Sequence, residues 1–404
     1  MTTSASPSRS DMRVAVFGAS GFVGATLTER LIDAGVDVRA FVNTSGNAWR
    51  MARRGIPIRQ FDITQGSGIA EALAGCTHVV NCTRGSDLVM LEGLRRLLRG
   101  ARAAGIRRFV HLSSVAVYGD PPPQAAVSEG APAEPPRGSY GWLKLQQDLC
   151  VERAHAHGLD CVVLCPPNIG GPYSPFFAGL VDDLRRGRFV LLDDGDAPVN
   201  VVDVDNLCHA IELALTADQG DGRRIFITDG PKIRWRDLID ALVPLAGRAG
   251  PVPSLPLTDT FWSPRAPIVA RSSPLRSLLH LLSSDVRAAL RKDPMLESID
   301  TTIRSLVARV PLVEAQLRNR VEGPIRVARI GEQGRYTSAF SRQQLRMVAH
   351  ELGRAESVLG YHPERHFDAA LERYARWYRE TYILDNPQSQ LIADMREMLA
   401  VQAD

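Results

Sequence analysis

Apolar residues in the first 165 positions come in short β-branched runs separated by stretches of helical spacing. Val14-Ala15-Val16-Phe17 is the first run. Glycines follow, and then Leu27, Leu31 and Ile32 keep to one helical face, which predicts strand, tight turn and helix. Further strands are predicted at residues 36–42, 56–61, 77–82, 109–112 and 160–164, and helices at 87–104 and 140–157. Such alternation builds βαβ units, whose right-handed crossovers give a doubly wound parallel sheet covered on both faces.

Beyond Pro166 the alternation weakens. A strand at 199–202 leads into a helix near Asp203, one more strand falls at 224–228, and 251–271 reads as loop. Residues 275–320 are mostly helical in pattern, and 367–382 forms the last helix, with Leu371, Tyr374, Ala375 and Tyr378 in register. The fold class expected is α/β: a Rossmann-type sheet with a smaller, mostly helical C-terminal substrate lobe. The expected parts are a loose tail at 1–11, a dinucleotide domain at 12–165 with 199–230, and a substrate lobe from 166–198 and 231–404. An insert at about 255–340 lies within that lobe.

Composition changes this picture little. The apolar share is 45%, the charged share 23% and the net charge +3, which gives no reason to expect nucleic acid or a membrane surface. The six cysteines form no CxxC pair and read as reduced core thiols of a cytoplasmic protein. His362 and His366 are four apart, but Pro363 breaks the helix that would align them, so no metal is expected. The insert carries six basic residues against Asp285 between Arg265 and Lys292. Its prolines cut it into short pieces, expected to dock on the protein or a second subunit in preference to a membrane.

Gly18, Gly21 and Gly24 sit between the first strand and its helix. Gly18 permits the tight turn, Gly21 lets a pyrophosphate approach the backbone, and Gly24 lets helix pack on strand. The diphosphate of a dinucleotide then meets the N–H groups of the helix N-terminus. Tyr140 and Lys144 are four apart on a helix and share one face. Tyrosine's ordinary pKa near 10 is too high for a base at neutral pH, and a neighbouring ammonium favours the phenolate.

With Ser113-Ser114-Val115-Ala116-Val117-Tyr118-Gly119 directly after the fifth strand, these motifs resemble the extended short-chain dehydrogenase/reductase family, of the NAD-dependent epimerase/dehydratase type. The match covers roughly 12–250 and 340–382, and 255–340 has no counterpart. The resemblance implies a hydride-transferring enzyme with Ser114, Tyr140 and Lys144 as catalytic residues. It implies cofactor contacts from Gly18, Ser20, Gly21, Phe22, Val23, Gly24, Asn43, Arg50, Asp62, Ile63, Cys82, Thr83, Tyr140, Lys144 and Pro167. Arg84, Ser114, Tyr118 and Asn168 would meet substrate. Asn168 falls in Pro166-Pro167-Asn168-Ile169-Gly170-Gly171-Pro172, which is similar to RPxNVYGP with Cys165 in place of its Arg.

The second strand ends in Phe41-Val42-Asn43 without an acid, which leans the cofactor to NADP over NAD, with Arg50, Arg53 and Arg54 as candidate phosphate partners. The leading expectation is a 4-epimerase or ketoreductase of a nucleotide-diphosphate sugar. The runner-up is an NADPH-dependent reductase or hydroxysteroid-type dehydrogenase of a non-nucleotide carbonyl, and a third is a non-catalytic dinucleotide-binding protein. A homodimer is compatible with each.

Overall fold

The computed structural model describes residues 12–65, 68–230, 233–247, 250–256 and 338–381. The chain divides into two compact units, 1–255 with 343–404, and 256–342. The expected insert lies, from 257 to 337, outside the described residues, as do the N-terminal tail and everything after 381.

The first unit is built on a parallel sheet. Its strands are β1 (Arg13–Phe17), β2 (Asp37–Val42), β3 (Ile58–Gln60), β4 (His78–Asn81), β5 (Arg108–Leu112) and β6 (Cys161–Cys165). After the short strands β7 (Asn168–Gly170), β8 (Leu191–Leu192) and β9 (Val201–Asp203), β10 (Arg224–Phe226) completes it. The order across the sheet is β3-β2-β1-β4-β5-β6-β10, and every pair is parallel. Connections run outward in opposite directions from β1 and β4. The crevice at their carboxyl ends is therefore the topological switch point where such sheets take ligands.

The helices are α1 (Phe22–Asp33), α2 (Trp49–Arg53), α3 (Ile69–Ala72), α4 (Leu94–Ala103), α5 (Tyr140–Ala156), α6 (Pro175–Arg185), α7 (Val204–Thr216), α8 (Trp235–Leu242), α9 (Gly353–Leu359) and α10 (Phe367–Thr381). Successive side chains of β1 part to opposite faces. Val14 and Val16 pack with Leu27 and Leu31 of α1 and Leu207 and Ile211 of α7. Ala15 and Phe17 pack with Leu94 and Leu97 of α4 and Val151 of α5. Burial on both faces is why these strands read as unbroken apolar runs.

Strand ends differ from the predicted bounds by at most two residues. The helix predicted from residue 87 begins with a wide π turn at Leu88–Gly93 before α4. Three helices of the weaker half, α6, α8 and α9, had no counterpart in the sequence reading. A start signal for α6 was present: the Ser174 side chain accepts from the Phe177 N–H and Pro175 holds the first helical position. Among the described residues no helix is long and apolar enough to cross a membrane.

Candidate active site

The glycine turn is sterically closed. Gly18 has φ +80°, and a Cβ there would lie 2.8 Å from the Cys82 carbonyl oxygen. A Cβ on Gly24 would lie 2.2 Å from the Gly18 oxygen. Gly21 caps α1 with no side-chain hydrogen bond, which leaves first-turn N–H groups for a diphosphate. A cradle that only glycine can line, beside Cys82 and Thr83 at the end of β4, fits the dinucleotide that the sequence implied.

The adenosine end is less simple. Asn43 is exposed at the end of β2. Arg50 is not a free cation: it donates to both carboxylate oxygens of Glu29 (3.2 and 2.6 Å) and to Thr26 Oγ1. It also lies 4.2 Å over the Tyr173 ring. Arg54 pairs with Asp33. Of the three arginines expected to attract a 2′-phosphate, Arg50 and Arg54 are thus engaged by acids of α1. Asp62 Oδ1 accepts from the backbone and hydroxyl of Thr64, and Ile63 is buried.

Ser139 starts α5: its hydroxyl accepts from the Trp142 N–H at 3.1 Å, which puts Tyr140 on the first turn. The next residue must be small. A Cβ on Gly141 would lie 2.0 Å from the Ala116 carbonyl oxygen, so the helix start and the 3-10 turn Val115–Tyr118 touch backbone to backbone. Ser114 caps that turn, accepting from the Ala116 N–H, and hydrogen-bonds Tyr140. Ser113 faces away, donating to Asp148 Oδ2 at 2.9 Å.

Lys144 is 4% exposed and donates to the Leu112 carbonyl at 2.8 Å. Its other two N–H bonds remain for a ribose. Burial lowers it to about 8, against the pull of Asp148 one turn on. Burial also pushes the Tyr140 phenol up, opposed by Arg84 and by the Ser114 hydrogen bond. The sequence reading made Lys144 the cation acting on Tyr140. In the structure the Arg84 guanidinium is nearer, 5.1 Å from the ring centre against 6.0 Å for the lysine nitrogen.

Behind Lys144 lies a buried polar cluster that the sequence reading missed. Asp148 is raised to about 6 by burial. It accepts from Ser113 and from Arg224 Nη1 at 3.3 Å. His111 Nε2 lies 4.0 Å from Asp148 Oδ1, and its burial keeps the imidazole neutral. Tyr118 belongs here, not with substrate. It is 2% exposed, its hydroxyl donates to the Glu129 carbonyl and accepts from Arg224 Nε, and burial pushes it up to about 12.

In front of Tyr140 is a cavity of about 180 Å³. Ser114, Tyr140, Pro167 and Asn168 line it, as expected positions, with Val115, Pro122, Trp235 and others. No sequence motif pointed to Gln343, Arg346 and His350, which also line it. Asn168 Nδ2 donates to Gln343 Oε1 at 2.8 Å. Arg346 is held by both oxygens of Asp120 at 2.8 and 2.9 Å. His350 Nδ1 bonds the Ala126 carbonyl, and burial lowers the ring to about 4, so it is neutral.

The family model of the NAD dependent epimerase/dehydratase family matches residues 14–227. The chain belongs to this family. It is an NAD(P)-dependent enzyme of the extended short-chain dehydrogenase/reductase type. Among curated relatives it is 30% identical over 296 residues to a 4-hydroxy-2-methyl-3-oxo-4-farnesyl-3,4-dihydroquinoline-1-oxide ketoreductase of Stigmatella aurantiaca, covering 68% of this chain and 88% of that one. It is 28% identical to a UDP-glucose 4-epimerase of Mycolicibacterium smegmatis, covering 65% and 89%. Among solved structures it resembles a UDP-glucose 4-epimerase of Thermotoga maritima, with TM-score 0.61 and 16% identity over 92% of this chain and 99% of that one. That last likeness speaks for the fold alone.

Proposed function

We propose that this family member is a ketoreductase of a largely apolar, non-nucleotide carbonyl compound. The observation that carries the reading is the charge balance of the cavity before Tyr140. Among its described lining residues the guanidinium of Arg346 is the only permanent charge, and Asp120 already neutralises it. His350 is neutral, and Val115, Ala116, Pro122, Pro167, Pro198 and Trp235 are apolar. A diphosphate would bring two negative charges to a wall whose one described cation is already paired with Asp120, a costly desolvation. A polycyclic or alkyl ketone meets the same wall favourably. The farnesylated dihydroquinoline oxide of the first relative, and the dihydroflavonol of a barley relative 27% identical over 248 residues, are of this kind.

In the mechanism this reading implies, the substrate carbonyl oxygen lies between Ser114 and Tyr140. Ser114 donates to that oxygen. Tyr140 gives it a proton as negative charge develops, a contribution of typically 10²–10⁴-fold. Lys144 orients the ribose with its two remaining N–H groups and supplies positive potential to Tyr140. A reduced dinucleotide, when bound, would supply hydride for the carbonyl carbon. The product is the secondary alcohol, and Tyr140 regains its proton from solvent.

Reduced cofactor should be oxidised in the presence of bulky apolar ketones, with little response to UDP-glucose, followed by absorbance and product mass. Conversion of UDP-glucose at a comparable rate, with no ketone reduced, would overturn the reading. It would restore the nucleotide-sugar alternative, which Asn168 on the cavity wall favours. For the cofactor we propose only a modest preference for NADPH, within about tenfold in Kd. No acid ends β2, but Arg50 and Arg54 are already paired. Fluorescence titration of both cofactors measures the ratio, and a large preference for NADH would overturn this.

A further inference from the structure

Cations from two different elements flank Tyr140. Arg84, directly after β4, places its guanidinium carbon 5.1 Å from the ring centre. Lys144, one turn along α5, places its nitrogen 6.0 Å away. Asp148 on the same helix, Cys165 at the end of β6 and Ser114 after β5 are the other polar groups acting on the phenol.

We propose that Arg84 is a positioning residue for Tyr140: a permanent cation over the ring that favours its phenolate independently of Lys144. The proposal rests on the reading of Tyr140 as proton donor. Arg84 differs from the other arginines of the crevice. Arg50, Arg54, Arg224 and Arg346 each hold a carboxylate, whereas among the described residues no carboxylate pairs with Arg84, whose nearest described aromatic face is Tyr140. Its charge is therefore directed at the ring, where a cation within about 6 Å is attracted to the π face and still acts on the oxygen.

Lys144 alone is a fading source of that potential. Its burial brings it to about 8, so its charge is lost in mildly alkaline solution, while a guanidinium keeps its own. One of its three N–H bonds is also spent on the Leu112 carbonyl. As the Tyr140 proton leaves for the substrate oxygen, negative charge grows on the phenol. A fixed cation beside it lowers the barrier in the manner of other preorganised sites.

The test uses Arg84→Gln, Arg84→Lys and Tyr140→Phe in the full chain. The difference in phenolate absorbance between each protein and its Tyr140→Phe counterpart isolates the Tyr140 titration without substrate. Loss of one charge at this distance should raise the midpoint by about half to two units. Arg84→Lys should restore most of the shift. Arg84 is exposed, so melting curves should agree. An unmoved midpoint overturns the proposal, as does a rise in KM alone, which would make Arg84 a substrate contact. Turnover that survives Tyr140→Phe instead overturns the proton-donor reading, and the midpoint still decides whether Arg84 acts on the phenol.

Discussion

The two sides of the first turns of α5 are unlike. Behind Lys144, the buried Asp148, His111, Ser113 and Tyr118 and the partly exposed Arg224 crowd ionisable and polar groups together. In front of Tyr140, among the described lining residues, the one guanidinium, that of Arg346, is cancelled by Asp120. The difference teaches where this protein spends electrostatics. Charge is concentrated where it sets the ionisation of Lys144 and Tyr140 and is balanced along the described wall of the cavity.

The sharpest test of the division is Tyr140→Phe, which removes only the hydroxyl on the boundary. Turnover should fall by about 10²–10⁴-fold with an unchanged melting curve. Near-normal turnover would mean that the boundary is not the reacting centre. Gly141→Ala comes next, because its Cβ would meet the Ala116 backbone oxygen at 2.0 Å. Overpacking of this kind costs about 1–3 kcal/mol, so thermal unfolding should shift down. Activity should fall further than stability does, since the Ser114 turn must move away from Tyr140. A stable, fully active variant would show that the backbone contact does not set the geometry.

The charged side is tested by pH. Lys144 is charged below about 8 and neutral above it, so the rate should decline as pH rises through that value in the free enzyme. Asp148 raises the lysine, hence Asp148→Asn should move the decline to lower pH by about one unit and leave an oxygen for Ser113 and Arg224. A profile that stays in place would disconnect the rear cluster from Lys144. The smallest effect is expected on the neutral side. Arg346→Gln should change KM for an apolar ketone by less than about threefold, because an exposed ion pair contributes little. A tenfold loss of binding would show that Arg346 holds an anionic substrate group after all.

Much of the front of this site was legible because it is local. Tyr140 and Lys144 share a helix face by spacing, and Gly18, Gly21 and Gly24 sit between strand and helix. Ser114 was legible because the end of a parallel strand faces the crevice. Tyr118 stands in the same segment, but a 3-10 turn rotates its hydroxyl inward to Glu129 and Arg224. Residue type and spacing hold no information about that rotation. Arg50 was read from its proximity to β2, while its actual partner, Glu29, lies one helix earlier.

The sequence by itself determined the alternation of strands and helices in the first 165 residues, the glycine turn and the shared helix face of Tyr140 and Lys144, since periods of two and 3.6 and fixed short offsets encode them. Tertiary structure alone decided which residues face each other across the chain. Arg346 reaches Asp120, Gln343 reaches Asn168, and Arg224 of β10 reaches Asp148 of α5. Those meetings set which charges are cancelled and which remain free to act. They depend on how β10 and the segment after 342 pack against distant elements, and no local pattern of residues carries that information.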